Sequence, residues 1–452
     1  MRVPLQEILI TVSSTTYSNP DTHQQQSPLH EVSHNHDSPS AQPPLVEKCG
    51  PTTAKIVCVR NYSAVLPGNF SRAPPPDSIN PLDQASYAQT HVPDDPSWSL
   101  LRDADFIVYD RDRGLSILGD APTSEYKFDI EPLFHDATVY DPYTNEVWFS
   151  ELSGGEITQK VIDLGDEGKG VHRKKADPPL YSPVGGIYRN GLFYFCVGGS
   201  SDEVEGPDGT VARPGLYTLN ATSGESKVLL NNYFGYWFST CNDLAMDGEG
   251  NIWFTDDDYS FGNGVSPHHP VLAPAIYRFN PRTGSVRIVD QHLKQPNGIA
   301  FSPDFKTLYV ADSGAETVPD HAPAVGQVIY NPYNVTDPHV VWAFDVIHGG
   351  LALGNARPFH LTHKWLPDGV RVADNGYVLI GVGDGIDVVD PAGDLVIKIQ
   401  TPFTAVGNTW SGKGSKDLWI TGVGGVQKVH LNLPGGRVNG WPAHLLEDEE
   451  DL

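Results

Sequence analysis

Four side chains that carry oxygen donors occupy the same point of a recurring phrase. Asp136 stands in HDATVY, Asn242 in CNDLAM, Asn297 in PNGIAF and Asp368 in PDGVRV, each just ahead of a short apolar run. Two carboxylates and two amide oxygens, completed by water, make an oxygen-only shell. Such a shell suits Ca2+ or another hard divalent cation and is poor for zinc or copper. Singly, each of these residues also reads as an ordinary turn former, because Asn and Asp tolerate left-handed backbone and bond to their own main chain. Recurrence at one place in four separate segments is what favours a shared ion.

A cation with open positions would polarise a carbonyl and stabilise the charge that grows on its oxygen during attack by water. A base must then reach that water. Asp368, a ligand carboxylate with a second oxygen, is the first candidate; Asp243 is the second, although it reads more readily as a buried structural hydrogen bond or an anchor for its neighbour Asn242. Tyr233, Phe234, Tyr236 and Trp237, in NNYFGYWF ahead of Asn242, are expected to wall a substrate pocket or, alternatively, to pack between sheets. The insertion VIHGGLALGNARPFHLTHKW before Pro367 is expected to reach the same mouth as a lid, with His348, His360 and His363 as reserve bases. His135 is not one of them, because strand alternation turns its side chain away from that of Asp136.

The elements that would position these groups are strands. From about residue 104 the chain consists of short apolar runs split by Asp-Gly, Asn-Gly and Pro-Asp turns, with little helical periodicity. One unit recurs six times: ATVYDPYTNEVWFSEL, GGIYRNGLFYFCVGG, NDLAMDGEGNIWFTDD, NGIAFSPDFKTLYVADSG, DGVRVADNGYVLIGVGDG and NTWSGKGSKDLWITGVGG. Each is strand, turn, strand, and most continue into a third strand such as IYRFNPRTGSVRIV. A meander of this kind cannot bury both faces alone, so radial packing about an axis is the stable solution. The repeats predict an all-β, six-bladed β-propeller over 104–440, with the first strand of each blade lining a central channel. The stretch FIVYDRDRGLSIL is expected to supply the outer strand of the last blade and close the ring. A β-sandwich is the rival, but it does not repeat one hairpin phrase six times. Residues 1–103, Pro-rich and polar, read as a low-complexity, largely disordered N-terminal extension, and 441–452 as an acidic tail.

Composition narrows the partners. Thirty Lys and Arg against 56 Asp and Glu give a net charge of −26 over 452 residues, which repels nucleic acid and anionic membrane alike. No segment is long enough to span a bilayer. Cys49, Cys58, Cys196 and Cys241 are too few for a disulfide scaffold and lack zinc-site spacing; they are expected to be buried thiols or, for Cys49 and Cys58, one local bridge. The N-terminus makes a poor signal peptide, since its apolar stretch is short and preceded by Glu7. A soluble intracellular protein is expected, with secretion second, since Asn61, Asn69, Asn220 and Asn334 stand in glycosylation triplets.

The ordered set HDATVYDPYTNEVWFSEL, NNYFGYWFSTCNDLAMDGEGNIWFTDDDYSFG, QPNGIAFSPDFKTLYVADSG and PDGVRVADNGYVLIGVGDGIDVVDPAG resembles the regucalcin and gluconolactonase family, most closely its fungal lactonohydrolase branch, over about residues 104–432. That resemblance implies a six-bladed, Ca2+-dependent propeller that opens lactone rings. It also implies that Asp136, Asn297 and Asp368 are metal ligands, with Asn242 a fourth ligand or a substrate contact. The family carries Glu in its first-blade motif where this chain reads Asp136-Ala137-Thr138. Aspartate is one methylene shorter, so the ion shifts, a water intervenes or affinity falls. The alternatives are a propeller hydrolase or tailoring enzyme acting on another ester or a fungal secondary metabolite, and a calcium-binding propeller without catalysis.

Overall fold

The computed structural model describes residues 43–74, 83–153, 155, 158–200, 212–319 and 331–436. The expected units appear as sheets because their apolar runs are covered on both faces by neighbouring sheets. The strand Ile252–Asp256 (IWFTD) is buried at every position, whereas Ser285–Asp290, the outer strand of the same sheet, is half-exposed along its length. The turn between the first two strands is fixed by Asp247, whose Oδ1 accepts from the amides of Glu249 and Asn251 at 3.0 and 2.9 Å. Large aromatics fill the space between sheets: Trp253 meets Phe301 edge to face with centroids 5.5 Å apart.

Five sheets are four-stranded antiparallel blades; in four of them the chain runs outward strand by strand, and in the fifth the outermost strand comes from earlier in the chain. They begin at His135–Asp141, Pro183–Arg189, Leu244–Met246, Pro296–Phe301 and Ala405–Ser411. The remaining sheet, starting at Val370–Val372, has seven strands. The innermost strands touch in chain order, and Ala405–Ser411 returns to His135–Asp141 to close the ring.

Two expectations are corrected here. A ring of six like blades is not what forms, since five sheets are blades of the expected kind and the other is a wider, seven-stranded sheet. Two of its three extra strands, Val46–Lys48 and Ile56–Val59, come from the segment that composition had assigned to a disordered extension, and the third, Phe106–Val108, follows it. Phe106–Val108 pairs antiparallel with Leu395–Gln400, Ile56–Val59 runs parallel beside it, and Val46–Lys48 forms the edge. A Cys49–Cys58 disulfide pins that edge hairpin, and Trp98 and Leu101 bury against the sheet. Polar composition misled because a few β-branched residues, IVCV at Ile56–Val59, suffice to extend a sheet that already exists. The second correction concerns ring closure. FIVYDRDRGLSIL forms part of the seven-stranded sheet and the helix Arg111–Leu118, and the last blade is completed instead by Thr123–Asp129 alongside Gly425–His430. Residues 1–42 of the expected extension and the acidic tail 441–452 lie outside the described residues. Among the described residues, no helix is long and apolar enough to cross a membrane.

Candidate metal and active site

The four residues singled out by the repeats line one cavity. Asp136, Asn242, Asn297 and Asp368 surround a narrow space of about 40 Å3 at one mouth of the ring, together with Glu316, Tyr259 and Asn263. Phe134, Leu152, Val184, Trp365, Leu366 and Val406 form its apolar wall. That space has room for an ion with a water or two, and a larger molecule would sit above it against the Phe134 and Trp365 rings, which stack with centroids 6.0 Å apart.

A repeated device places the ligand-bearing strands. A hydroxyl at the end of one blade's second strand donates to the carbonyl at the start of the next sheet's first strand: Thr255 to Asn297 O at 2.7 Å, Ser313 to Pro367 O at 2.6 Å, Thr421 to His135 O at 3.1 Å. Aspartates fix the preceding loops. Asp256 Oδ1 accepts from the amides of Ser239, Thr240 and Cys241, each at 2.9 Å, and Asp312 Oδ1 accepts from Gln295 at 2.9 Å. The glycine after Asn297 and Asp368 has a packing cause. A Cβ on Gly298 would run into the backbone of Asp368 and Val370, and one on Gly369 into Val406 O, so neighbouring inner strands approach closely only with glycine there.

The donor set fits a hard cation. Asn242 donates its amide nitrogen to Asp257 Oδ2 at 2.6 Å, and Asp257 Oδ1 accepts from Tyr259 N at 3.0 Å; this fixes which end of the Asn242 amide is oxygen. Asn242 Oδ1 and Asn297 Oδ1 are both buried with no hydrogen-bond partner among the described residues, and buried acceptors are rarely left so. Burial, with Asp243 nearby, pushes the Asp136 carboxyl up to about 8. Burial, with Asp136 and Glu316 nearby, raises that of Asp368 well above the ordinary range. Two carboxylates and two unpaired amide oxygens around one small cavity favour a bound divalent ion, whose charge would restore their ionisation.

Beneath the cavity, Arg371 Nη1 pairs with Asp243 Oδ2 at 2.9 Å and its Nη2 donates to Gly186 O at 3.2 Å. Asp243 also accepts from Leu244 N and Ile299 N and does not line the cavity. The structure therefore favours the anchoring reading of Asp243 over that of the second candidate base, since it lies outside the cavity and is held by Arg371 and two backbone amides. The aromatic expectation is corrected as well. Tyr233 and Tyr236 close a small loop through reciprocal backbone bonds, Phe234 is exposed, and Tyr236 and Trp237 border a separate hollow of about 300 Å3 with Pro214, Ser266, His268 and Val271. The insertion before Pro367 forms no lid: most of it belongs to the hairpin of the two outer strands Val340–Ile347 and Ala352–Leu361, and only its last residue, Trp365, reaches the cavity. Of the reserve bases, His348 lies in that hairpin's turn, His360 bonds Asp387 at 3.0 Å, and His363 is held by burial below the usual histidine range. None lines the cavity.

A second cluster, Glu131, His135 and Glu151, has ligand atoms within 4.8 Å of one another. Lys160 Nζ already stands there, 2.6 Å from Glu151 and 3.6 Å from Glu131, so an ammonium group supplies the positive charge. Sequence reasoning missed Glu316 and Asp257, and it gave no role to Trp365, the last residue of the insertion expected at this mouth. Only Asp257 left a signal: the run Asp256-Asp257-Asp258 directly after an apolar strand is too acidic for a simple turn.

Comparison with known proteins agrees with this architecture. The chain is 37% identical over 412 residues to the lactonohydrolase oryL of Aspergillus oryzae, covering 88% of this chain and 91% of that protein. It is 35% identical over 447 residues to the lactonohydrolase oryH of the same organism, covering 87% and 94%. Among solved structures, a gluconolactonase from Xanthomonas campestris superposes with a TM-score of 0.54 at 25% identity, over 70% of this chain and 91% of that one. Residues 134–322 and 326–424 match the SMP-30/Gluconolactonase/LRE-like region, and the chain belongs to that family.

Proposed function

We propose that this protein is a metal-dependent lactonohydrolase that opens a lactone ring by attack of water on the ring carbonyl. The observation that carries the reading is the pair of unpartnered amide oxygens, Asn242 Oδ1 and Asn297 Oδ1, facing the same cavity as Asp136 and Asp368. Those four residues would hold the cation, Ca2+ by preference because every donor is a hard oxygen. When bound, the cation supplies Lewis-acid polarisation of a carbonyl.

The rest of the chemistry belongs to the chain. Phe134 and Trp365 give the lactone ring an apolar face to lie on, which limits the water admitted at the mouth. Asp257 keeps the Asn242 oxygen aimed inward, and the Asp243–Arg371 pair holds the floor. The small volume at the mouth favours compact lactones whose carbonyl alone enters while the rest of the ring stays outside. The relatives' names, lactonohydrolase and gluconolactonase, support the same substrate class.

The test combines elemental analysis of the purified protein with hydrolysis of aldonolactones and pantolactone before and after chelation. About one divalent ion per chain, with activity lost on chelation and regained with Ca2+, is expected; indifference to every lactone, or full activity after exhaustive chelation, refutes the proposal. The disulfides Cys49–Cys58 and Cys196–Cys241 support an oxidising compartment, so secretion, second in the sequence reading, becomes the preferred location. Recovery of the protein from culture medium rather than cells checks it.

A further inference from the structure

Opening a lactone with water needs a proton acceptor for the water and a proton donor for the departing ring oxygen. Among the described residues, Asp136, Glu316 and Asp368 line the cavity and Asp243 and Asp257 flank Asn242 beside it; four of these carboxylates are committed. Asp136 and Asp368 belong to the cation shell, Asp243 to Arg371, and Asp257 to Asn242 and Tyr259 N. Glu316 is the fifth. It is 4% exposed, lines the same cavity, and forms no ion pair with a Lys, Arg or His of the described residues.

Its surroundings hold it rigidly. Glu316 Oε1 accepts from Trp365 Nε1 at 3.1 Å, and its backbone pairs with Tyr333 across an isolated bridge. Trp365 is itself fixed from several sides: its amide donates to Gln84 Oε1 at 2.8 Å, and its carbonyl accepts from Tyr333 and Thr362, both at 3.1 Å. It sits at φ +60°, a left-handed conformation that costs a non-glycine residue energy and persists only where the surroundings enforce it. Sequestering Trp365 in this way fixes a hydrogen bond that aims Glu316, beside that of Asn331, and it recruits Gln84 from the N-terminal segment to do so.

We propose that Glu316 is the proton-transfer residue of the lactone-opening reaction, an assignment that rests on the function proposed above. As the water oxygen bonds to the carbonyl carbon, one water proton passes to the Glu316 carboxylate. The ring C–O bond then breaks, and the leaving alkoxide takes that proton from Glu316. The new carboxylic acid releases its remaining proton to solvent, and Glu316 returns to its starting state. Burial pushes the Glu316 carboxyl up to about 7, with Trp365 and Asn331 opposing the rise. The ionisable groups near it are Tyr259, Tyr333 and Asp368.

The experiment compares wild type, Glu316→Gln and Glu316→Asp on aldonolactones and pantolactone, with Ca2+ binding followed by calorimetry. For Glu316→Gln, kcat is expected to fall by about 10^2 to 10^4-fold while KM, melting temperature and Ca2+ affinity stay near wild type. Glu316→Asp should keep part of the rate, and formate should restore activity to Glu316→Ala in proportion to its concentration. Glu316→Gln with kcat within about threefold of wild type overturns the assignment, as does loss of Ca2+ binding in step with activity. A wild type that opens no lactone overturns the underlying function as well, whereas an active wild type with an equally active Glu316→Gln overturns this assignment alone.

Discussion

Asp257→Asn separates a metal shell from a set of decorative turns. Asp257 accepts through both oxygens, from Asn242 Nδ2 at 2.6 Å and from Tyr259 N at 3.0 Å. An amide has one acceptor oxygen, so in the variant one N–H must face another. The cheapest relief is for Asn242 to flip, which turns its NH2 towards the cavity and removes one of the four oxygen donors. Losing a partner that orients a ligand typically weakens metal binding about 10 to 100-fold. At a Ca2+ concentration about 100 times the wild-type Kd, binding adds about 2.7 kcal/mol of stability; a 100-fold weaker site adds about 0.4 kcal/mol at the same concentration. Denaturant unfolding with and without Ca2+ reads this difference directly. Any general damage from the substitution appears in both conditions, about 1–3 kcal/mol for a buried unsatisfied group, and cancels from the Ca2+ increment. An increment equal to wild type, with unchanged calorimetric stoichiometry, would show that Asn242 is not an oriented ligand and would refute the cation shell.

Asp368→Asn should lower kcat/KM by on the order of 10^3-fold or more and abolish the Ca2+ increment, as steady-state kinetics and calorimetry would show. Arg371→Met leaves Asp243 buried without its counter-charge and should cost about 3–5 kcal/mol in urea unfolding, part of which the double variant Asp243→Asn/Arg371→Met recovers. Asp387 supplies a pH test away from the site. Burial would raise its pKa, but Lys398 at 2.8 Å and His360 at 3.0 Å, with His363 beyond, hold it well below the ordinary range. Its stabilising contribution is present above the unfolded-state pKa of about 3.9 and is lost as pH falls below it. The stability gap between wild type and Asp387→Asn should therefore be largest at pH 7 and shrink below about pH 4; a gap independent of pH over that range refutes the assignment.

The blades were legible because each repeat states its own hairpin: apolar strand, Asp or Gly turn, apolar strand. The seven-stranded sheet was not, because nothing in IVCV at Ile56–Val59 says which edge it will join. Its partner, Phe106–Val108, is some fifty residues further on, and that strand in turn pairs with Leu395–Gln400. Long-range pairing of short strands follows the shape of an edge already formed rather than local propensity. The same blindness misplaced ring closure, since Thr123–Asp129 (TSEYKFD) is half-exposed and polar, like many outer strands and unlike a sequence that announces a core.

The division between what was and was not legible at the site follows the symmetry of the ring. Asp136, Asn242, Asn297 and Asp368 were found because equivalent positions of repeated strands must point at a common axis. Glu316 and Trp365 occur once each, on connections that differ from blade to blade, and they meet across 49 positions of sequence; Gln84 reaches Trp365 across 281. No periodicity records such contacts. The repeated positions thus line the cavity, where every contributor to a shared shell would need the same geometry. Proton transfer and the wall against which substrate lies come from the irregular loops, where a single asymmetric group can be set beside the axis without being copied around it. Relatives that keep the four shell residues but differ around Glu316 and Trp365 should therefore retain cation binding while diverging in the lactones they open, and a shared lactone preference among them would contradict this separation.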